Sequence, residues 1–293
     1  MSNKILNQIC IILIMLIITL SIVLFYKINK RISIKKESFI NHIKICCLYS
    51  YYEKNELYKS NFLYFLDNGI LDDVDYYIII NGICTIDIPI KNNIIIFQRE
   101  NKGYDFGAYS YALKYIKEYD YYFFINTSVK GPYLKNNQKK WTEYFLELFN
   151  DDVKVVGTSI NIFDLNKFGN YNLSKIYHKN KPFTHIQSMF FCIDKEYLNY
   201  LNKINFFNEY ELNNIQNINY IIVYKELGLS QYALNNNWNI NSILDKYKNF
   251  DYRTIDNDFN NTSNYGDPYY KNAYFGETID KYDVIFFKNN RSL

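Results

Sequence analysis

Along most of the chain, apolar residues fall into short blocks whose spacing switches between two periods. "HIKICCLYSYY" from His42 is a near-continuous apolar run of strand length, while "NELYKSNFLYFLDNGI" repeats apolar positions at helical intervals and stops at Asn68-Gly69. "VDYYIIING" and "NNIIIFQREN" are two further runs, closed by Asn81-Gly82 and by Asn101 to Gly103, the punctuation that ends strands. From Asp105 the spacing is helical again, with Phe106, Tyr109, Ala112, Leu113 and Ile116 on one face, and "YDYYFFIN" supplies a fourth strand. Strands alternating with helices predict an α/β domain, a mostly parallel sheet with helices on both faces.

The second half is less regular. "WTEYFLELF" predicts a helix, "VKVVGTSI" and "HIQSMFFCI" two strands, "NYIIVYKELGLSQYALNN" a helix, and "KYDVIFFKNN" a late strand. No internal repeat and no Pro/Gly/Ser-rich linker breaks residues 42–293, which read as one domain.

The front of the chain is different. After a short tail (1–8), residues 9–26, "ICIILIMLIITLSIVLFY", form an uncharged run close to the ~20 residues that span a bilayer. The run is followed by "KINKRISIKK" within a basic linker (27–41), not by the small-residue cleavage site of a secretion signal, so a retained single-pass anchor is expected. Lys27, Lys30, Arg31, Lys35 and Lys36 after the run outweigh Lys4 before it, which places the main domain on the cytoplasmic side. The sequons at Asn172, Asn260 and Asn290 argue instead for a lumenal domain, although a chain so rich in asparagine produces such triplets by chance.

Charge and cysteine content narrow the chemistry. The formal net charge is +3, and all six charged residues up to Lys36 are basic, so the chain from Glu37 onward carries about −3. It holds no basic block, which speaks against a nucleic-acid partner. Cys10, Cys46, Cys47, Cys84 and Cys192 show no CxxC spacing and read as free thiols, with Cys46 and Cys47 on opposite faces of one strand. The three histidines, His42, His178 and His185, are too scattered for a zinc site, so any metal would be a hard cation held by oxygens.

In an open α/β sheet, ligands bind beyond the carboxyl ends of the strands. That rule gathers Tyr49 and Ser50, then Asn81, then Asn101 to Asp105, then Asn126 to Ser128. Gly103 and Gly107 permit a tight turn and close helix packing, and Asp105 stands where a helix N-cap belongs.

These residues carry a resemblance. "ENKGYDFGAY", "FINTSVKGPYL", "HIQSMFF", "ELGLSQYAL" and "YDVIFFKNNR", in that order across residues 42–291, resemble the rhamnan-synthesis protein F group and its algal and large-DNA-virus relatives, GT-A-like (Rossmann-like) glycosyltransferases. The resemblance implies transfer of a sugar, rhamnose or another hexose, from a nucleoside-diphosphate sugar to a glycan or lipid-linked acceptor, with inversion. It implies donor contacts from Tyr49, Ser50, Asn81, Asn101, Gly103, Asp105, Asn126 and Ser128, with Asn81 equally readable as a turn former. It implies Glu226 as the base, its pKa raised by burial, with Asp105 also catalytic, His185 and Gln187 on the acceptor side, and Lys288 and Arg291 on the diphosphate. Asn126 and Ser128 occupy the places where such enzymes carry metal-binding acids. A Mn²⁺ or Mg²⁺ site at Asp105 and Asn126 is therefore short of carboxylates, and three alternatives stand: Asp105 supplies the charge, a base such as Lys130 or Arg253 meets the diphosphate, or the chain is a catalytically silent nucleotide-sugar or glycan binder.

Overall fold

The computed structural model describes residues 14–30, 43–136, 138–163, 183–254 and 267–288, in two compact units, Met1–Ile43 and Lys44–Leu293. In the first, residues 14–30 form a helix, α1, whose large apolar side chains, Ile14 to Ile28, are exposed. No helix among the described residues is long and apolar enough to cross a membrane, and residues 9–13 of the expected span lie outside them.

The second unit opens as the apolar pattern predicts. β1 (Ile45–Tyr51), α2 (Glu56–Asn68), β2 (Val74–Asn81), β3 (Ile94–Arg99), α3 (Tyr104–Leu113) and β4 (Tyr121–Asn126) follow in order. α2 begins where Asn55 accepts the Tyr58 N–H, satisfying one of the amides a helix start leaves unpaired. Then come α4 (Trp141–Leu146), β5 (Val153–Gly157), β6 (Ile160–Phe163), β7 (Phe183–Ile186), β8 (Phe190–Asp194), α5 (Lys195–Lys203) and α6 (Glu209–Asn213). α7 (Ile218–Ile221) continues through a π-helical segment (Ile222–Leu227) into α8 (Gly228–Asn235), followed by β9 (Asn239–Ser242) and α9 (Lys281–Val284).

The main sheet has seven strands in the order β3-β2-β1-β4-β8-β5-β9, and β6 pairs with β7 apart from it. It is mostly parallel, with β8 running antiparallel to both β4 and β5. β8 enters the sheet from the short turn at Gln187–Met189, which follows β7 of the separate pair.

The two faces of the sheet are filled by rings. On one, Phe124 stacks on Phe191 at 4.5 Å and meets Tyr109 of α3 at 5.0 Å; on the other, Phe190 packs on Phe145 at 4.4 Å and on Phe286 at 4.5 Å. Cys46, Cys47 and Cys192 are buried free thiols, whereas Cys84 is only half-buried and Cys10 lies outside the described residues.

Several sequence expectations change, and "VKVVGTSI" is one of them: β5 ends at Gly157 and Ile160 opens β6 of the separate pair. "HIQSMFFCI" is two strands in different sheets, because Gln187 to Met189 make a turn between them. "KYDVIFFKNN" starts as a one-turn helix, fixed by a reciprocal capping box between Asp280 and Asp283; only Phe287 forms a bridge, to Lys130. α3 is capped by Gly103, at φ 69°, so Asp105 lies within the first turn and not at the N-cap.

Gly107 sits where that first turn packs hardest. A Cβ there would stand 2.3 Å from the Lys102 carbonyl oxygen, a backbone atom that cannot swing aside. Gly→Ala inside a helix ordinarily gains up to ~1 kcal/mol. Here the overlap reverses the sign, and Gly107→Ala is expected to destabilise the domain by about 1–3 kcal/mol in urea unfolding.

Candidate functional site

The carboxyl ends of β1, β2, β3, β4 and β5 lie along one edge of the sheet, and the turn leading into antiparallel β8 opens onto the same edge. Two polar clusters form there.

The first lies at the ends of β1, β2 and β3. Asn81, 1% exposed, donates from Nδ2 to Ser50 Oγ (3.0 Å) and to the Tyr51 carbonyl (3.2 Å). Its Oδ1 accepts from Arg99 Nη1 (2.9 Å), and Arg99 Nη2 donates to Asn213 Oδ1 (2.6 Å) at the end of α6. Burial lowers the proton affinity of Arg99, and neutral amides hold the guanidinium in place. The cluster is thus a fixed cation on a hydrogen-bonding platform. Tyr49 does not belong to it. Ser50 and Tyr49 are neighbours on a strand and must point to opposite faces, and Tyr49 goes into the core against Phe62 (4.9 Å) and Phe65 (4.6 Å). Asn101 is exposed in the turn before Gly103.

The second cluster draws on five separate stretches. Asp105, in the first turn of α3, accepts from Asn126 Nδ2 at 2.7 Å through Oδ2 and from the Phe106 N–H at 3.2 Å through Oδ1. Asn126 Oδ1 accepts from Ser128 N (3.0 Å) and Oγ (2.6 Å). A backbone N–H can only donate, so this contact fixes which way the amide faces. Across the edge, Glu226 of the π-helical segment accepts from Ser188 Oγ (2.9 Å), and His185 Nε2 stands 3.6 Å from its other oxygen. Lys288, following the Phe287–Lys130 bridge, lies in the field of both Glu226 and Asp105.

The two carboxyls differ in proton affinity, in the opposite sense to the sequence expectation for Glu226. Burial alone would raise Glu226, but His185, Lys288 and Ser188 outweigh it and hold the carboxyl at about 2. Asp105 is raised: burial dominates, the Asn126 hydrogen bond only partly offsets it, and the charge on Glu226 adds to it. Such a split marks one group as a fixed anion and the other as the better proton acceptor.

Other expected contacts fall elsewhere. Gln187, 4% exposed, accepts from Ser159 Oγ at 2.6 Å and so ties the β8 turn to the β5–β6 connection instead of lining the cleft. Lys130 points back to α2, donating to Ser60 Oγ at 3.3 Å and covering the Tyr64 ring. Arg253 is at the opposite edge, bound to Asp251 (2.7 Å) and near Asp152 (3.4 Å), which precedes β5. Arg291, His178 and the sequons at Asn172, Asn260 and Asn290 lie outside the described residues. Arg99 and Ser188 were not legible as site residues: Arg99 ends a strand as any edge charge might, and Ser188 sits inside an apparent strand. Position beyond a strand end could have flagged Arg99.

A divalent cation does not fit these side chains. Asn126 turns N–H toward Asp105 and uses its oxygen on Ser128, which leaves the Asp105 carboxyl without the Asn126 oxygen as a second ligand. Among the described residues, no group of three His, Cys, Asp or Glu could hold a metal ion.

The low Glu226 value has a sign that stability measurements can read. A carboxyl held at about 2 against an ordinary 4.5 contributes stability that is fully present above pH 4.5 and is lost as pH falls toward 2. Wild type should therefore lose unfolding free energy more steeply than Glu226→Gln over that window, as read by urea titrations at each pH.

The chain matches no protein-family profile, and no curated protein matches it in sequence. Among solved structures it is similar to the mannosyltransferase PcManGT from Pyrobaculum calidifontis in complex with GDP-Man and Mn²⁺, at 12% identity and TM-score 0.36, over 54% of this chain and 46% of that one. It is also similar to the galactosyltransferase LgtC in complex with donor and acceptor sugar analogs, at 12% identity and TM-score 0.35, over 63% of this chain and 69% of that one. A third is a glycosyltransferase involved in glycosylation of the major capsid of PBCV-1, at 14% identity and TM-score 0.33, over 62% and 75%. The chain thus spans less than half the length of the first of these and about two thirds to three quarters of the others.

Proposed function

We infer that the chain is a glycosyltransferase that moves a sugar from a nucleoside-diphosphate donor to a hydroxyl of a glycan or lipid-linked acceptor. One observation carries the reading. The five stretches behind the resemblance to the rhamnan-synthesis protein F group each give a side chain to one cluster: Asp105, Asn126, His185 with Ser188, Glu226 and Lys288. Residues from 105 to 288 have no reason to meet at one sheet edge for stability alone, since a pair of part-buried like charges costs free energy.

In this reading the base and ribose lie on the Ser50–Asn81–Arg99 platform. The acceptor oxygen attacks the anomeric carbon, the bond from that carbon to the diphosphate breaks with inversion, and the diphosphate leaves with the electron pair. Asp105, the carboxyl of higher proton affinity, takes the acceptor proton. Glu226 stays charged and positions His185, Ser188 and Lys288. Lys288 meets the charge developing on the departing diphosphate, the task a metal ion performs elsewhere. The anchor at 9–26 holds the enzyme at a membrane, with the domain on the cytoplasmic side, where a lipid-linked acceptor is within reach. The catalytically silent reading rests on the uncharged Asn126 and Ser128, and turnover separates the two.

Full-length protein in detergent, screened against UDP-, GDP- and dTDP-sugars, is expected to hydrolyse or transfer from one donor at a rate unchanged within about twofold by EDTA, with Lys288→Ala lowering kcat/KM about 10²-fold. Loss of all turnover in EDTA would remove Lys288 from its assigned role, and binding of a donor without turnover would favour the silent reading.

The acid limb of kcat/KM should lie above the ordinary aspartate value of 3.8, since activity falls as pH drops through the raised Asp105 value; a limb near 2 would return the proton to Glu226. Asp105→Asn keeps an acceptor for Asn126 while removing a buried charge, so it should abolish turnover yet leave the melting temperature at pH 7 equal or higher.

A further inference from the structure

A cavity of about 480 Å³ lies outside the cluster, between residues 133–136, α4, the turn after β9 and residues 274–285. Its volume is that of a small-ligand site. Four tyrosines line it: Tyr133, Tyr144, Tyr274 and Tyr282. Tyr282 meets Tyr133 edge-on at 6.1 Å, and Lys281 lies 4.8 Å and 5.1 Å over the two rings. The rings are therefore held in place before any ligand arrives.

The charged side chains that line the cavity pair off. Lys135 pairs with Asp283 (2.9 Å), Lys246 with Glu277 (2.8 Å) and Lys248 with Asp245 (2.6 Å). Among the described residues that line the cavity, each cation is thus paired with an anion, while Lys281, outside the lining, is engaged over the Tyr133 and Tyr282 rings. The lining also offers tyrosine rings, each with a lysine ammonium over one face and the other face left to a ligand's C–H groups, beside many N–H donors and carboxylate acceptors. That combination suits a neutral, polyhydroxylated ligand, whose C–H faces lie on the rings while its hydroxyls bond to the paired side chains.

The cavity is joined to the proposed reaction centre by the chain itself. The segments 130–133 and 285–287 run side by side, through Lys130 N to Phe287 O (2.9 Å), Phe287 N to Lys130 O (2.8 Å) and Tyr133 N to Ile285 O (2.7 Å). One end of this ladder carries Lys288 and follows Ser128; the other carries Tyr133 and Ile285 into the cavity. Five residues from Ser128 to Tyr133 reach at most about 17 Å.

We propose that this cavity is an oligosaccharide-binding subsite that holds the distal, uncharged sugar residues of the acceptor. The assignment rests on the glycosyltransferase reading for its biological sense, but its ligand chemistry stands on the cavity alone.

The test uses full-length protein in detergent on an array of immobilised neutral tri- and tetrasaccharides of glucose, galactose, mannose and rhamnose, with sialylated oligosaccharides beside them. Donor hydrolysis is measured in parallel. At least one neutral oligosaccharide should be retained, with Tyr282→Ala lowering retention tenfold or more. Tyr282 is 40% exposed, so its truncation leaves the core untouched, and a thermal melt checks this. Tyr282→Phe should bind within threefold of wild type, and Lys288→Ala and Asp105→Asn should bind undiminished. The proposal fails if no neutral oligosaccharide is retained, if only sialylated ones are, if Tyr282→Ala binds as well as wild type, or if Lys288→Ala abolishes retention. Donor hydrolysis without neutral-glycan retention overturns the cavity assignment alone. Tyr282-dependent retention without any donor turnover supports the cavity and overturns the glycosyltransferase reading instead.

Discussion

Two carboxylates sharing one electrostatic field set the terms for the rest of this molecule. Asp105 and Glu226 arrive from α3 and from the π-helical segment, and each raises the cost of ionising the other. The conflict is resolved unequally. Glu226 receives a histidine, a hydroxyl and an ammonium, while Asp105 receives one side-chain amide. Each donor comes from an element whose placement would otherwise look incidental: the turn before β8 supplies Ser188, β7 supplies His185, and the strand-like tail after α9 supplies Lys288. The antiparallel insertion of β8 into a parallel sheet is what brings that turn to the edge where β4 ends.

The first four strands and two helices were legible because their apolar runs are long, and α2, β2 and β3 are stopped by Asn-Gly or a Gly turn. What the sequence hid was of three kinds. β9, "NINS", has no apolar period, yet it is buried because Asn239 and Asn241 spend their amides on the carbonyls of Phe250 and Leu148. The turn at Gln187–Met189 contains neither Gly nor Pro, so one apolar run reads through two strands. α5 carries its signal in the cap and stripe: Asp194 accepts the Tyr197 N–H, and Tyr197, Leu198 and Leu201 are its buried residues.

For the site, position along a strand was informative and orientation was not. Ser50, Asn81, Asp105 and Asn126 are gathered by topology, but whether Tyr49 or Ser50 faces outward depends on which face of β1 meets α2, a tertiary matter. The proton affinity of Glu226 likewise could not be read from burial, because its sign depends on three partners distant in sequence. "NTS" at the end of β4 is better understood as a turn than as a failed acidic motif. Asn126 closes on Ser128, and the same amide steadies Asp105.

The π-helical segment has a genetic consequence. Lys225 and Glu226 are consecutive, yet Lys225 is buried on one side against the Phe206 carbonyl (2.8 Å) and Glu211 (3.3 Å), while Glu226 serves the edge cluster. A π turn accommodates one extra residue inside an α-helix, so the helices on either side keep their faces while the residues within the turn are displaced. Loss of a single codon within 222–227 would therefore restore a regular α-helix and move Glu226 off the edge cluster while leaving both flanking helices able to pack. In a lineage of such proteins, chemistry at this edge could be switched off or restored by an in-frame slip that leaves the sheet and its aromatic core intact.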